Sequence, residues 1–449
     1  MPHLPPETDA GSPALVRVFG VRTLAANVVN NLVGSGIFVL PAAVAAILGP
    51  SSAIAYVACA IVVGLLALCF AEVGSRVHAT GGVYAYVQAA FGPYAGFLAG
   101  VLLIVSQAAA SAAVANVLVG SLGALLHGST GPAATAAMLI VLYVFLVVIN
   151  ARDVRAGARV MESLTVAKIT PLVVLAIAGL FAVRTENLAG MQLPPVADLG
   201  RASLLLFFAF MGVEGALSSS GEVRDPARTV PRALLLGLGG VAVLYAAIQV
   251  VTQGVLGPAL GAHPDAPLAA TAEQMFGAAG RTFILAAAAL SAFGYVSGDM
   301  LATPRVSFAF AHDGLMPARL GAVHPRFRTP HVAVIVHGIL CCAIALSGQF
   351  AKLAILSVVS MLLVYLGCCL AVIKLRRDNV SAEPDGFRIP GGAVVPVLAC
   401  LVVLWLMSSS TRAEFLAVGA VVAITSLAYL LRRRRTPAVP IGTLPAAEP

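Results

Sequence analysis

The chain has 449 residues, 60% hydrophobic and only 10% charged, with 27 Lys and Arg against 19 Asp and Glu. A soluble domain carries roughly 25% charged residues, so the composition excludes an ordinary soluble protein. Apolar runs of about 20 residues recur from near Gly20 to Leu431 and leave no room for a separate soluble domain. The net charge of +8 does not imply nucleic acid, because the basic residues sit at span ends and in short loops.

Residues 1–16 form a polar, Pro-rich tail without the basic start and short apolar core of a removable signal peptide. One membrane domain, 17–435, follows, and 436–449 form a second polar tail. Apolar runs predict an all-α polytopic protein of twelve transmembrane helices, at about 20–47, 53–75, 93–124, 133–150, 160–183, 201–221, 231–256, 279–303, 332–348, 353–375, 393–410 and 413–431. With the N-terminus inside, only Arg184, Arg201, Arg281, Lys352 and Arg412 fall outside, and Lys168 lies within a span. The positive-inside rule therefore places both tails in the cytoplasm and the protein in the cytoplasmic membrane.

Span one contains Asn30-Asn31-Leu32-Val33-Gly34-Ser35-Gly36-Ile37-Phe38. Glycine weakens helix and polar groups are costly in hydrocarbon, so an unwound segment is expected here. Backbone unwinds at membrane depth only where protein buries it or where it lines a cavity, which makes the segment a candidate binding site. Span six carries a second such stretch, Phe207-Phe208-Ala209-Phe210-Met211-Gly212-Val213-Glu214-Gly215. Paired broken spans five apart point to a five-plus-five inverted repeat with its site at the midplane. Repeat one is about 20–183, repeat two about 201–375, and the helices at about 393–431 are additions.

Ionisable residues inside spans are functional candidates by default: Lys168 in span five, Glu214 after the span-six break, Asp299 in span eight and His337 in span nine. Glu214 reads as a brace for the unwound segment and His337 as an interhelical hydrogen-bonding residue. Glu72 with Arg76, Asp153 with nearby arginines, and Asp313 read as ion pairs and caps at cytoplasmic helix ends. The seven cysteines all lie in apolar runs and read as packing residues, none at metal-ligand spacing from a histidine. No metal and no cofactor is expected.

Several segments, in order, resemble the amino acid–polyamine–organocation transporter superfamily and its bacterial amino acid permeases. They are Gly34-Ser35-Gly36-Ile37-Phe38; Ala71-Glu72-Val73-Gly74-Ser75-Arg76 leading to Gly81-Gly82-Val83-Tyr84-Ala85-Tyr86 and Phe91-Gly92-Pro93; Gly221-Glu222-Val223-Arg224-Asp225-Pro226 through Pro231; Pro304-Arg305 to Pro317; and Phe387-Arg388-Ile389-Pro390-Gly391-Gly392. Ala79-Thr80 stands where a proline is usual, and His312 where an arginine is common.

An α-amino acid offers a carboxylate and an ammonium, and a broken helix offers a complement to each: free N–H groups at a half-helix N-terminus and free carbonyls at a C-terminus. Gly34, Ser35 and Gly36 are expected to donate amides to the carboxylate, with the Ser35 hydroxyl added. Carbonyls near Val33 and around Phe208, Ala209 and Phe210 would hold the ammonium. Asn31 would bond the substrate or tie the unwound backbone. The resemblance implies that Phe208 lies over the substrate as a gate, that Met211 faces the side-chain pocket, and that Phe97, Gly100 and Val105 line it. Phe207 reads instead as an ordinary lipid-facing residue. The resemblance also places Lys168 between spans one, five and eight, where its ammonium substitutes for a sodium ion and its proton tightens or loosens the hold on span one. Asp299 is placed near Lys168, either pairing with it or reading a basic substrate.

The function expected is secondary transport of an amino acid by alternating access, as proton-coupled uptake of a neutral amino acid, with exchange of amino acids or amines as the alternative. The proton is the expected coupling ion, and the partners are the substrate and membrane lipid. A membrane-embedded enzyme would need a His-Glu-x-x-His, Gly-x-Ser-x-Gly or P-loop motif, and a channel a repeated filter or charged rings; the chain has none of them.

Overall fold

In the computed structural model, residues 20–77, 82–126, 131–152, 155–217, 223, 225–380 and 387–433 are described. Both tails, Ala79-Thr80-Gly81, Asp153 and most of Gly221 to Arg224 lie outside them. The described chain is helical throughout: α1 Val21–Leu32, α2 Leu40–Leu48, α3 Ser52–Gly74, α4 Val83–Phe91, α5 Pro93–Leu126, α6 Pro132–Arg152, α7 Arg155–Leu180, α8 Val196–Phe210, α9 Val213–Leu217, α10 Pro226–Leu256, α11 Pro267–His312, α12 His331–Ser347, α13 Phe350–Arg377, α14 Val394–Ser408 and α15 Arg412–Arg433.

Eight described stretches are long and apolar enough to cross a membrane: 40–74, 93–126, 132–152, 196–215, 228–262, 267–312, 350–377 and 412–431. Lys168–Leu180, His331–Ser347 and Val394–Ser408 are shorter apolar helices. The chain is an integral, polytopic helical membrane protein. The first apolar run is divided, because α1 stops at Leu32 and α2 starts only at Leu40 after a short 3-10 turn at Gly36–Phe38. Pro41 in the first turn of α2 suits a helix start, since its missing N–H would have had no partner there.

Long α5 and α13 are mostly buried and pack along one another, and α5 also packs on α11, whereas α6 and α15 are mostly exposed. Small side chains make the close approach possible. The Cβ position of Gly237 on α10 lies only 2.8 Å from Val28 Cβ and 2.9 Å from the Ala25 carbonyl, so glycine lets α10 lie against α1. At one end of the bundle Glu72, fully buried, accepts from Arg76 Nη2 at 2.8 Å, Arg376 Nε at 2.7 Å and the Ile389 amide at 2.9 Å. That network ties α3, α13 and the approach to α14 together.

Candidate site at the paired helix breaks

Helix α1 ends with Val33 in an extended conformation, and α8 ends the same way at Met211 (φ −70°, ψ 149°). A helix end leaves its last carbonyls without intrahelical partners, and no cap bond from Met211 closes α8. Gly212 then takes φ 114°, a conformation that favours glycine, and its Cβ position lies 2.6 Å from the Asn31 carbonyl oxygen. The two breaks therefore touch backbone to backbone, at Gly212 and Asn31.

The exposed carbonyls of α1 are claimed one by one. Lys168 Nζ on α7 donates to Asn30 O at 2.8 Å, and Tyr245 Oη on α10 donates to Leu32 O at 3.0 Å. On the span-six side, Glu214 Oε2 accepts from the Gly212 amide at 3.2 Å and from Tyr365 Oη at 2.6 Å. Glu214 thus braces the second break against α13. Asn31 is turned back along its own helix, its Nδ2 donating to Asn27 O and Oδ1, both at 2.9 Å.

In the 3-10 turn before α2, Gly36 is buried under Phe208, with its Cβ position 3.1 Å from Phe208 Cδ1 and 3.4 Å from Ala209 Cα. Phe208 in turn meets Phe350 edge-on, with ring centroids 5.5 Å apart. Beside them the Ser35 hydroxyl, 1% exposed, has no hydrogen-bond partner among the described residues. A buried hydroxyl left unpaired is costly, and this one belongs to the residue next to Gly36 in the unwound segment.

Phe210 is completely buried against Tyr245, centroids 5.2 Å apart, so only its backbone is available to a ligand. Met211 is half-buried in the gap. Four sequence expectations need correction. Phe207 is not lipid-facing: it is 1% exposed and packs on Tyr365 at 5.9 Å, because α13 covers that side of α8. Phe97 and Gly100 turn to Phe310 of α11, in an aromatic cluster with Tyr429 separate from the main core, rather than to Phe208.

The third concerns histidine and cysteine: His337 and Cys341 stand one helical turn apart on α12, a spacing that does put two ligand atoms on one face. The fourth concerns Asp299: expected to pair with Lys168 or read the substrate, it bonds Thr303 and His337 among the described residues. Its Oδ1 accepts from Thr303 Oγ1 at 2.5 Å and its Oδ2 lies 2.9 Å from His337 Nε2.

Sequence reasoning missed Tyr245 and Tyr365, which look like any aromatic in an apolar helix. A cavity of about 720 Å³ between α5, α6 and α11 is lined by Leu118, Phe145, Phe293 and other apolar residues alone. It offers nothing to an ammonium or carboxylate.

Residues 19–429 match the family description "amino acid permease". The chain is 28% identical over 407 residues to the serine/threonine exchanger SteT of Bacillus subtilis, covering 87% of this chain and 90% of that one. It is 27% identical over 439 residues to the methylthioribose transporter of the same organism, covering 94% and 95%. To the branched-chain amino acid permease BcaP of that organism it is 27% identical over 421 residues, covering 89% of each. All three are named as transporters or permeases.

Proposed function

The chain belongs to the amino acid permease family, and from that premise we propose that it carries a neutral amino acid across the cytoplasmic membrane by alternating access, coupled to protons. On this reading the fold has twelve spans, with spans one to five and six to ten as inverted repeats that rock about the paired breaks, and both tails cytoplasmic. The observation that carries the reading is the buried Ser35 hydroxyl, unpartnered among the described residues, next in the chain to Gly36, which packs on Phe208 and Ala209 near the end of α8.

The carboxylate of the substrate takes the amides of Gly34, Ser35 and Gly36 and the Ser35 hydroxyl, at the positive end of the α2 side of the break. Its ammonium takes the carbonyl of Val33 and those of Phe208, Ala209 and Phe210. Phe208, seated on Gly36 and Phe350, is the lid over the site. Met211 and its apolar surroundings favour an uncharged side chain, since a charged one there would go unpaired. Lys168, whose ammonium holds Asn30 O, is the coupling residue: with its proton it ties span one to span five, and without it the tie is lost. Asp299 is assigned no substrate contact, because its two oxygens are engaged by Thr303 and His337.

A second reading, exchange of one amino acid for another, is favoured by the similarity to a named serine/threonine exchanger. Uptake of radiolabelled amino acids and polyamines into proteoliposomes separates the two. Proton-coupled uptake predicts accumulation driven by an imposed proton gradient with empty vesicles, whereas an exchanger requires internal counter-substrate. Absence of uptake for every α-amino acid under both conditions refutes both.

A further inference from the structure

Away from the breaks, α11 and α12 bring three different metal-ligating side chains together. His337 Nε2 lies 2.9 Å from Asp299 Oδ2 and 3.4 Å from Cys341 Sγ, and the three ligand atoms all fall within 4.8 Å of one another. All three residues are buried. Around them stand other polar groups: Thr303 on Asp299, Ser111 of α5 against Cys341, and Tyr143 of α6, whose hydroxyl is 3.4 Å from Ser111 Oγ.

We propose that Asp299, His337 and Cys341, with a water in the fourth position, bind one borderline-soft divalent cation, with Zn²⁺ the best match, and that the ion clamps α11 to α12. The ligand set is the first ground. Carboxylate, imidazole and thiolate are the three side-chain types that zinc takes, whereas Mg²⁺ and Ca²⁺ require oxygen. Spacing is the second. Tetrahedral zinc with bonds of about 2.0–2.3 Å holds its donors roughly 3.3–3.6 Å apart; the His337–Cys341 separation of 3.4 Å falls in that range, and the His337–Asp299 pair, now at a hydrogen-bond distance of 2.9 Å, opens by a few tenths of an ångström on binding.

Charge is the third. Asp299 as carboxylate and Cys341 as thiolate carry two negative charges, and a dication with neutral His337 makes the buried group neutral, which an apolar interior demands. Entry of the ion displaces the thiol proton, while neutral His337 keeps its proton on Nδ1 as Nε2 turns its lone pair to the metal.

The test uses the purified full-length protein in detergent. Zinc per chain is measured by elemental analysis after growth with zinc and exchange into metal-free buffer, and cobalt-substituted protein is examined by visible and ultraviolet absorption. The proposal predicts about one tightly held zinc per chain and a tetrahedral cobalt spectrum with a sulfur-to-cobalt charge-transfer band. Cys341→Ser, a one-atom change, removes the band and most of the zinc, while Cys69→Ser and Cys400→Ser retain both. Wild-type protein that holds no zinc and gives no tetrahedral cobalt spectrum overturns it, as does full retention in Cys341→Ser. The wild-type measurements stand even where a variant folds poorly.

Discussion

The Lys168 ammonium donates to the main-chain oxygen of Asn30 across 2.8 Å, joining the middle of one helix to the frayed end of another. The acceptor is a main-chain carbonyl, left without an intrahelical donor because α1 stops at Leu32. An ammonium can make this bond and a neutral amine makes it far more weakly. Lys168→Ala is therefore expected to abolish the pH dependence of uptake while leaving equilibrium binding of substrate measurable. Uptake against external pH in proteoliposomes, beside a binding assay on the same preparation, checks it; pH-driven transport unchanged in the variant removes Lys168 from coupling.

The contact of the two breaks gives a graded glycine series. At Gly212 a methyl group would sit 2.6 Å from the Asn31 oxygen at φ 114°, and both neighbours are backbone. Gly212→Ala should cost about 1–3 kcal/mol from strain alone and eliminate transport. At Gly36 the added atom meets Phe208 at 3.1 Å, a ring that can shift. Gly36→Ala should fold normally, with weakened substrate binding. Thermal stability and apparent affinity, measured together, should rank the two in that order.

Tyr245 holds the Leu32 carbonyl from α10. Tyr245→Phe keeps the packing against Phe210 but loses a bond worth about 0.5–1.5 kcal/mol. Apparent substrate affinity should fall by roughly two- to tenfold, since 1.4 kcal/mol is a factor of ten. No change would mean that the geometry of this carbonyl does not matter to the ligand.

These tyrosines mark the boundary of what the chain showed before its structure. The breaks themselves were legible, because Gly34-Ser35-Gly36 and Met211-Gly212 interrupt apolar runs where neither helix propensity nor membrane energetics favours such residues. Lys168 and Asp299 stood out as charges in hydrocarbon. What they bond did not, because a partner such as Asn30 O or His337 is set by which faces of distant helices meet, and apolar runs buried on all sides carry no face signal. Phe207 was misread for the same reason. The His337-x-x-x-Cys341 spacing was readable at helical period and was passed over.

Glu72 tests the scaffold rather than the site. Removing a buried carboxylate that two arginines share leaves them uncompensated, a loss of about 3–5 kcal/mol. Glu72→Ala should lower the unfolding temperature in detergent markedly, and Arg376→Ala less, because Arg376 is partly exposed and Arg76 still pairs with Glu72. Equal stability of Glu72→Ala and wild type would deny the network its role.

The central claim is that backbone at the two breaks reads both ends of an α-amino acid, and competition binding tests it most directly. The transported amino acid, its N-acetyl derivative and its methyl ester are titrated against the radiolabelled substrate on purified protein. The account predicts that the free amino acid competes and that each capped form, lacking one of the two charges, competes at least about a hundredfold less well, as loss of a charge-assisted hydrogen-bond set implies. Equal competition by the N-acetyl derivative or the methyl ester would contradict it.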